Sequence, residues 1–309
     1  MLLSLKNINL MKNLIVVTGG AGFIGSNLIE ALLKENKYKI ISIDNYSTGK
    51  KINHINNRNI TYINSNTKNI SKVLFNKRKR IHSLFHFGEF ARIFQSFNRL
   101  KECIDSNSIG THAVINFCMT NKIKLIYSAT SASLGNKGED KNLSPYAFTK
   151  AKNLELLENL KKWFKFKYEI IYFYNVYGPR QIEKGEMSTV IGIFENKFRN
   201  NKPLTIVKPG NQTRRFTHVS DTVKICLEAW KKNKCRHYSI SNKESFSIIN
   251  VAKMFNSKIK FLPKRSGERF SSALTDMNLS NKVYKRFGKT RLKDYIENIL
   301  IDHFNSQKK

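Results

Sequence analysis

Tyr146 and Lys150 stand four residues apart. On a helix that spacing puts both side chains on one face, about one turn from each other. An ammonium beside a phenol favours the phenolate, so the pair can take and return a proton near neutral pH. Such pairs arise by chance in many helices, and Thr130 is what raises the meaning of this one. Its hydroxyl comes just past the apolar run KLIYS at 124–128. That run reads as a strand, and open α/β sheets hold ligands at the carboxyl edge of their strands. Hydroxyl, phenol and ammonium together make a proton-transfer site for a sugar-like alcohol.

The elements that must position these groups can be read on either side of them. Residues 145–164 form a helix, with Pro145 suited to its first turn. Residues 14–17 are four apolar residues in a row, followed by Gly19, Gly22 and Gly25 at intervals of three. An amphipathic stretch at 27–34 comes next, with Leu28, Ile29, Leu32 and Leu33 on one side. Strand, glycine turn and helix in that order are a dinucleotide-binding element. The glycines permit a tight turn and a close approach to a pyrophosphate, and the helix N-terminus offers unpaired N–H groups. A second strand, 39–44, ends in Asp44, 19 residues past Gly25. A carboxylate there accepts from ribose hydroxyls and repels a 2′-phosphate, which favours NAD over NADP. Further strands at 59–63, 83–87, 124–128 and 169–174 alternate with helical stretches, among them 100–121. The pattern is α/β: a Rossmann-type, doubly wound parallel sheet with a smaller C-terminal substrate-binding lobe. We place the NAD-binding domain at 1–175, with 1–11 as an extension ahead of the first strand. The substrate lobe is placed at 176–309, partly interleaved with the sheet near 215–230.

Bulk properties exclude several classes. The chain has 309 residues, 40% hydrophobic, which is enough for a sizeable core. It contains no apolar run of membrane length, and its first ten residues lack the pattern of a secretory signal. Cys103, Cys118, Cys226 and Cys235 show no metal-ligand spacing and read as reduced thiols of a cytoplasmic protein. No His, Cys and carboxylate cluster suits a metal. The net charge is +33. The densest run, 77–80, carries no interleaved aromatics and reads as solvated surface rather than a nucleic-acid site. His86 reads as a packed core residue, His218 as a local hydrogen-bonding group, and Trp163, Phe164 and Phe166 as core or subunit contacts.

Seven motifs then occur in order: TGGAGFIG (18–25), DNYSTG (44–49), NSIGT (107–111), SAT (128–130), YAFTK (146–150), YNVYGPR (174–180) and TRRFTHVSD (213–221). With them the chain resembles an extended short-chain dehydrogenase/reductase of the nucleotide-sugar epimerase and dehydratase type, over about 16–276. The resemblance implies that Thr130, Tyr146 and Lys150 are catalytic and that Asn107 supports the site. It implies contacts to NAD from Gly19, Gly22, Phe23, Ile24, Gly25, Asp44, Asn45, Ser47, Thr48, Gly49, Phe87, Gly88, Asn107, Tyr146, Lys150 and Tyr174. Thr130, Tyr146, Asn175, Arg214, Arg265 and Ser272 would meet a nucleotide-diphosphate sugar, the two arginines gripping its phosphates. A homodimer through the helices near 100–121 and 145–164 is implied as well.

Within such a family the residues after the catalytic hydroxyl separate the reactions. Dehydratases carry an Asp-Glu pair there and decarboxylases a Glu, whereas this chain has Ser131, Ala132 and Ser133. That points to a 4-epimerase. A small residue at Ser272 leaves room for an N-acetyl group, so a UDP-N-acetylhexosamine is accepted alongside, or ahead of, a UDP-hexose. A reductase or dehydratase relative remains open, as does a nucleic-acid-binding protein on the same scaffold. Several positions depart from the family pattern. Asn64, Ser65 and Asn66 stand where an Asp usually meets adenine, and Arg215 replaces a common Asp. Phe87-Gly88-Glu89 replaces an apolar-Ala-Ala run. Glu89 either faces the substrate or turns to pair with Arg92.

Overall fold

The computed structural model describes residues 12–131, 140–264 and 283–307. Its centre is a sheet of eight strands: β1 (Leu14–Thr18), β2 (Lys39–Asp44), β3 (Ile60–Asn64), β4 (Ile81–His86), β5 (Lys124–Thr130), β6 (Tyr168–Phe173), β7 (His237–Ser241) and β8 (Val283–Phe287). Their order across the sheet is β8-β7-β6-β5-β4-β1-β2-β3, and every pairing is parallel. The winding direction reverses between β1 and β4, which opens a crevice at their carboxyl ends.

Strand periodicity explains why 14–17 is apolar throughout. Leu14 and Val16 point into one core, and Ile15 and Val17 into the core on the opposite face. The first face is covered by α3 (Thr111–Thr120) and α4 (Pro145–Phe164), which contribute Val114, Phe117, Leu154 and Leu157. The other is covered by α1 (Phe23–Leu33) and α5 (Val219–Lys232), through Leu28, Leu32, Val223 and Trp230. Ahead of α3 the chain forms a short helix, α2 (Leu100–Ile104), and then a π-helical turn at Asp105–Gly110. The helical stretch foreseen at 100–121 is therefore interrupted. Such π-turns recur at functional sites.

Beyond β6 a third core gathers Tyr177, Phe194, Leu204, Phe216, Val251 and Ile296. This lobe does not stay apart. Helix α5 packs on the sheet, and β7 and β8 extend it, so the chain crosses back twice after residue 176. The four cysteines are free thiols. Among the described residues no helix is long and apolar enough to cross a membrane, and no His, Cys and carboxylate group could hold a metal. Residues 1–11, the extension, lie outside the described residues.

Candidate active site

The crevice between β1 and β4 is built first from backbone. Gly19 has a left-handed φ of +70°, and a Cβ on it would sit 2.7 Å from the Phe87 carbonyl. A Cβ on Gly25 would collide with the Gly19 carbonyl. Only glycine lets these three segments touch. Gly22 caps α1 without a side-chain hydrogen bond, and the first turn of that helix carries no acid. Its opening N–H groups are thus left to an anion.

Asp44 closes β2, and both carboxylate oxygens are held: one by the Ala21 amide at 3.0 Å, the other by the Tyr46 amide at 2.8 Å. Burial, the larger effect, raises its pKa against those hydrogen bonds. The 44–49 segment folds over the glycine turn. Lys50 N donates to Ala21 O, Asn45 Oδ1 accepts from Ser47 N, and Gly49 packs against the Asp44 carboxylate. Thr48 follows the same bend, and Phe23 and Ile24 begin α1 beside it. A cradle only glycine fits, an uncapped helix start and an oriented carboxylate suit a dinucleotide pyrophosphate and ribose. On the other flank, Asn66 uses its side chain to cap the turn at Thr67–Asn69.

On the opposite wall, Thr130 is the last residue of β5 rather than just past it. Ser144 caps α4 by accepting from the Ala147 amide at 3.1 Å, which fixes the turn bearing Tyr146 and Lys150. The Lys150 ammonium donates to the Ser128 carbonyl at 2.6 Å, two residues before Thr130, and lies 4.8 Å from the Tyr127 ring centroid. Tyr146 packs with Phe90, Cys103 and Ala147. Asn107, fully buried in the π-turn, accepts from Phe90 N at 2.7 Å and donates to Phe90 O and to Thr149 of α4. It ties the loop after β4 to α4.

That loop carries the site's largest departure from expectation. Glu89 neither faces outward nor pairs with Arg92, which donates instead to the Met187 and Ala91 carbonyls. Its side chain is 2% exposed and forms an ion pair with Lys150. The carboxylate also accepts from Thr111 and Tyr127, each at 3.0 Å, and from Ser128 at 3.4 Å. His86 joins in behind it. Thr111 gives its proton to Glu89, so it must accept from His86 Nε2; Nδ1 then accepts from Thr18 at 2.7 Å, whose oxygen receives the Phe87 and Gly88 amides. One neutral tautomer satisfies every bond, in line with burial pushing His86 down to about 4. Asn153 closes the network, donating to Asn107 O at 2.6 Å and to Tyr127 at 3.1 Å. Sequence reasoning missed Asn153, yet it continues the face of Tyr146 and Lys150 at i+7.

At the lobe side, Asn175 sits at φ +32° and donates to the Arg215 carbonyl at 3.1 Å, which brings it to the Thr213–Arg215 strand that holds Arg214. Arg215 donates to the Asn242 and Lys243 carbonyls. Tyr174 does not reach the crevice with its ring: it is buried in the core, where its hydroxyl accepts from Ser239. His218 caps α5 through Ser220. Phe166 is core, but Trp163 and Phe164 are each 64% exposed and are not. Arg265 and Ser272 lie outside the described residues, as do Ala132 and Ser133.

The family model for the NAD dependent epimerase/dehydratase family matches residues 15–241. A protein of Methanocaldococcus jannaschii with the provisional name UDP-glucose 4-epimerase is 31% identical over 273 residues, 82% of this chain and 87% of that one. Among solved structures, UDP-N-acetylglucosamine 4-epimerase from Methanobrevibacter ruminantium, in complex with UDP-N-acetylmuramic acid, is 27% identical with a TM-score of 0.79, covering 96% of this chain and 99% of that one. UDP-glucuronic acid 4-epimerase from Bacillus cereus, in complex with UDP-glucuronic acid and NAD, is 26% identical with a TM-score of 0.79, covering 95% and 99%.

Proposed function

Because the chain belongs to the NAD dependent epimerase/dehydratase family, whose cofactor is NAD, we propose that it is a nucleotide-sugar 4-epimerase acting on a UDP-hexose or UDP-N-acetylhexosamine. The observation that carries the reading is the carboxyl edge of β5. Thr130 ends that strand two residues past the Ser128 carbonyl that holds Lys150, and Ser131 follows where an eliminating enzyme needs a carboxylate. The one carboxylate close by among the described residues, Glu89, is turned inward and bonded to Lys150.

Bound NAD supplies a hydride acceptor and then a hydride donor. Tyr146 takes the proton of the sugar O4 as C4 is oxidised, and the Thr130 hydroxyl orients that oxygen. Lys150 favours the phenolate form of Tyr146. Asn175, Arg214 and Arg265 hold the diphosphate, arginine being suited by its planar, permanently charged fork. The 4-keto sugar turns within the crevice and presents its other face, and Tyr146 returns the proton.

We also propose a homodimer. Phe97, Leu100, Leu143 and Phe148 line an apolar groove between α2 and α4 and are all largely exposed. The family resemblance, which implies a dimer through the helices near 100–121 and 145–164, supports seating the second copy there.

Proton NMR of UDP-GlcNAc, UDP-glucose and their C4 epimers, incubated with the protein and catalytic NAD, tests the reading. A C4 epimer without net NADH, and its loss in Tyr146→Phe, is expected. A stable keto product or net cofactor consumption would overturn it.

A further inference from the structure

We propose that Glu89 is a positioning residue: a buried counter-ion that fixes the Lys150 ammonium and tempers its pull on the Tyr146 phenol. The inference rests on the roles given above to Tyr146 and Lys150.

The ion pair is shielded on both sides, with Lys150 at 5% and Glu89 at 2% side-chain exposure. Two carbonyl-side partners, Glu89 and Ser128 O, use two of the three ammonium donors. Glu89 cannot swing toward the crevice without abandoning Thr111 and Tyr127, both donors to Oε1. Among the described residues, every polar side chain bonded to the carboxylate donates to it, so its charge is met from several sides. The family pattern stated above has Ala at this position. Here a negative charge sits against the ammonium and offsets part of the field that it casts on a phenol of the same helix face.

The other titratable groups around the pair do not substitute for this effect. His86, at the end of β4, is neutral, held down to about 4 by burial. Cys103 on α2 is raised by burial and stays a thiol. Tyr127 on β5 is raised well above its ordinary value, by burial first and then by Glu89. Arg92, on the loop after β4, is the second cation, within electrostatic reach of Tyr146 and bonded to backbone carbonyls. Among the described residues, Glu89 is the anion paired with Lys150.

The experiment uses the full chain with NAD. Wild type, Glu89→Ala, Glu89→Gln and Glu89→Asp are each titrated by ultraviolet difference absorbance of tyrosinate, alongside the same proteins carrying Tyr146→Phe. The difference isolates Tyr146. Removing the counter-ion moves its midpoint, and the ascending limb of kcat/KM against pH, to lower pH by about one unit. Glu89→Asp restores most of the shift. Glu89→Ala returns the residue of the family pattern; should it fail to fold, Glu89→Gln keeps the volume and carries the same test. An unmoved midpoint in a folded variant, or one moved to higher pH, overturns the proposal. A shifted midpoint in a protein that epimerises no sugar leaves this inference standing and removes the 4-epimerase reading instead.

Discussion

His86 is sealed between Thr18 and Thr111, with burial holding it down to about 4 from an ordinary 6.5. In the unfolded chain it takes its proton near 6.5; in the folded protein it resists until about 4. Between those values the unfolded state binds more protons, so the stabilisation is fully present above 6.5 and is lost as pH falls toward 4. The slope is about 1.4 kcal/mol per pH unit, roughly 3 kcal/mol across the window. Urea melts at several pH values should show it, and His86→Gln, which can accept from Thr18 and donate to Thr111, should flatten it. His82 and His218, also lowered by burial, remain in both proteins, so the difference reports His86. Identical slopes would mean the ring is reached by water. At this scale the sequence was readable where partners are local. Tyr146 and Lys150 declare themselves by spacing. Glu89 does not, because its partner is 61 residues away and reaches it only through the packing of α4 on the sheet. Neither outcome weighed for it, substrate or Arg92, included the lysine.

Two elements were legible to the residue, while others, such as α1 and β5, shifted at their ends. The strand at 39–44 and the helix at 145–164 fall where the pattern puts them, since an acid ends the one and Ser144-Pro145 starts the other. The stretch 100–121 was not, because its break depends on Asn107 reaching Phe90 and Thr149, contacts that no local pattern announces. Two predictions belong to elements. The join of β1 to α1 has no space at Gly25, where a methyl group would strike the Gly19 carbonyl. Gly25→Ala should weaken NAD binding at least about tenfold, followed by cofactor fluorescence, because the turn must open at the pyrophosphate cradle. Unchanged affinity would show that the cofactor does not use this turn. The α2–α4 groove gives the second. Leu100→Glu together with Phe148→Glu should shift the protein to a monomer by light scattering, since buried carboxylates facing each other across a symmetric contact destabilise it. A monomeric wild type would sink the dimer directly.

For the whole molecule, the parallel sheet follows from alternating strands and helices, but its last two strands do not. β7 and β8 come from within the 176–309 stretch that forms the lobe, and 237–241 and 283–287 carry mixed residues that become strands only by pairing, β7 with β6 and β8 with β7. One consequence is that the lobe is anchored at both ends of its excursion, so the crevice is walled by elements that share the sheet. The net charge of +33 acts on that crevice as a field rather than as a site. The run 77–80 ends far along the chain from the glycine turn, and Arg80 there bonds Asn13 at the amino end of β1, the edge opposite the cofactor loop. A diffuse positive field speeds the arrival of an anion and fades with salt, whose screening length is about 8 Å at physiological strength. For a nucleotide sugar with a charged diphosphate, kcat/KM should therefore fall by about tenfold between low and high salt, while kcat, which is set after binding, stays level. Binding of uncharged uridine should not respond. Polyuridylate should compete no better than its free phosphates predict, because no aromatics are interleaved within the 77–80 run. A flat kcat/KM across salt would show that the excess lysines serve solubility alone, and tight, steeply salt-dependent binding of polyuridylate would make the field a nucleic-acid surface after all.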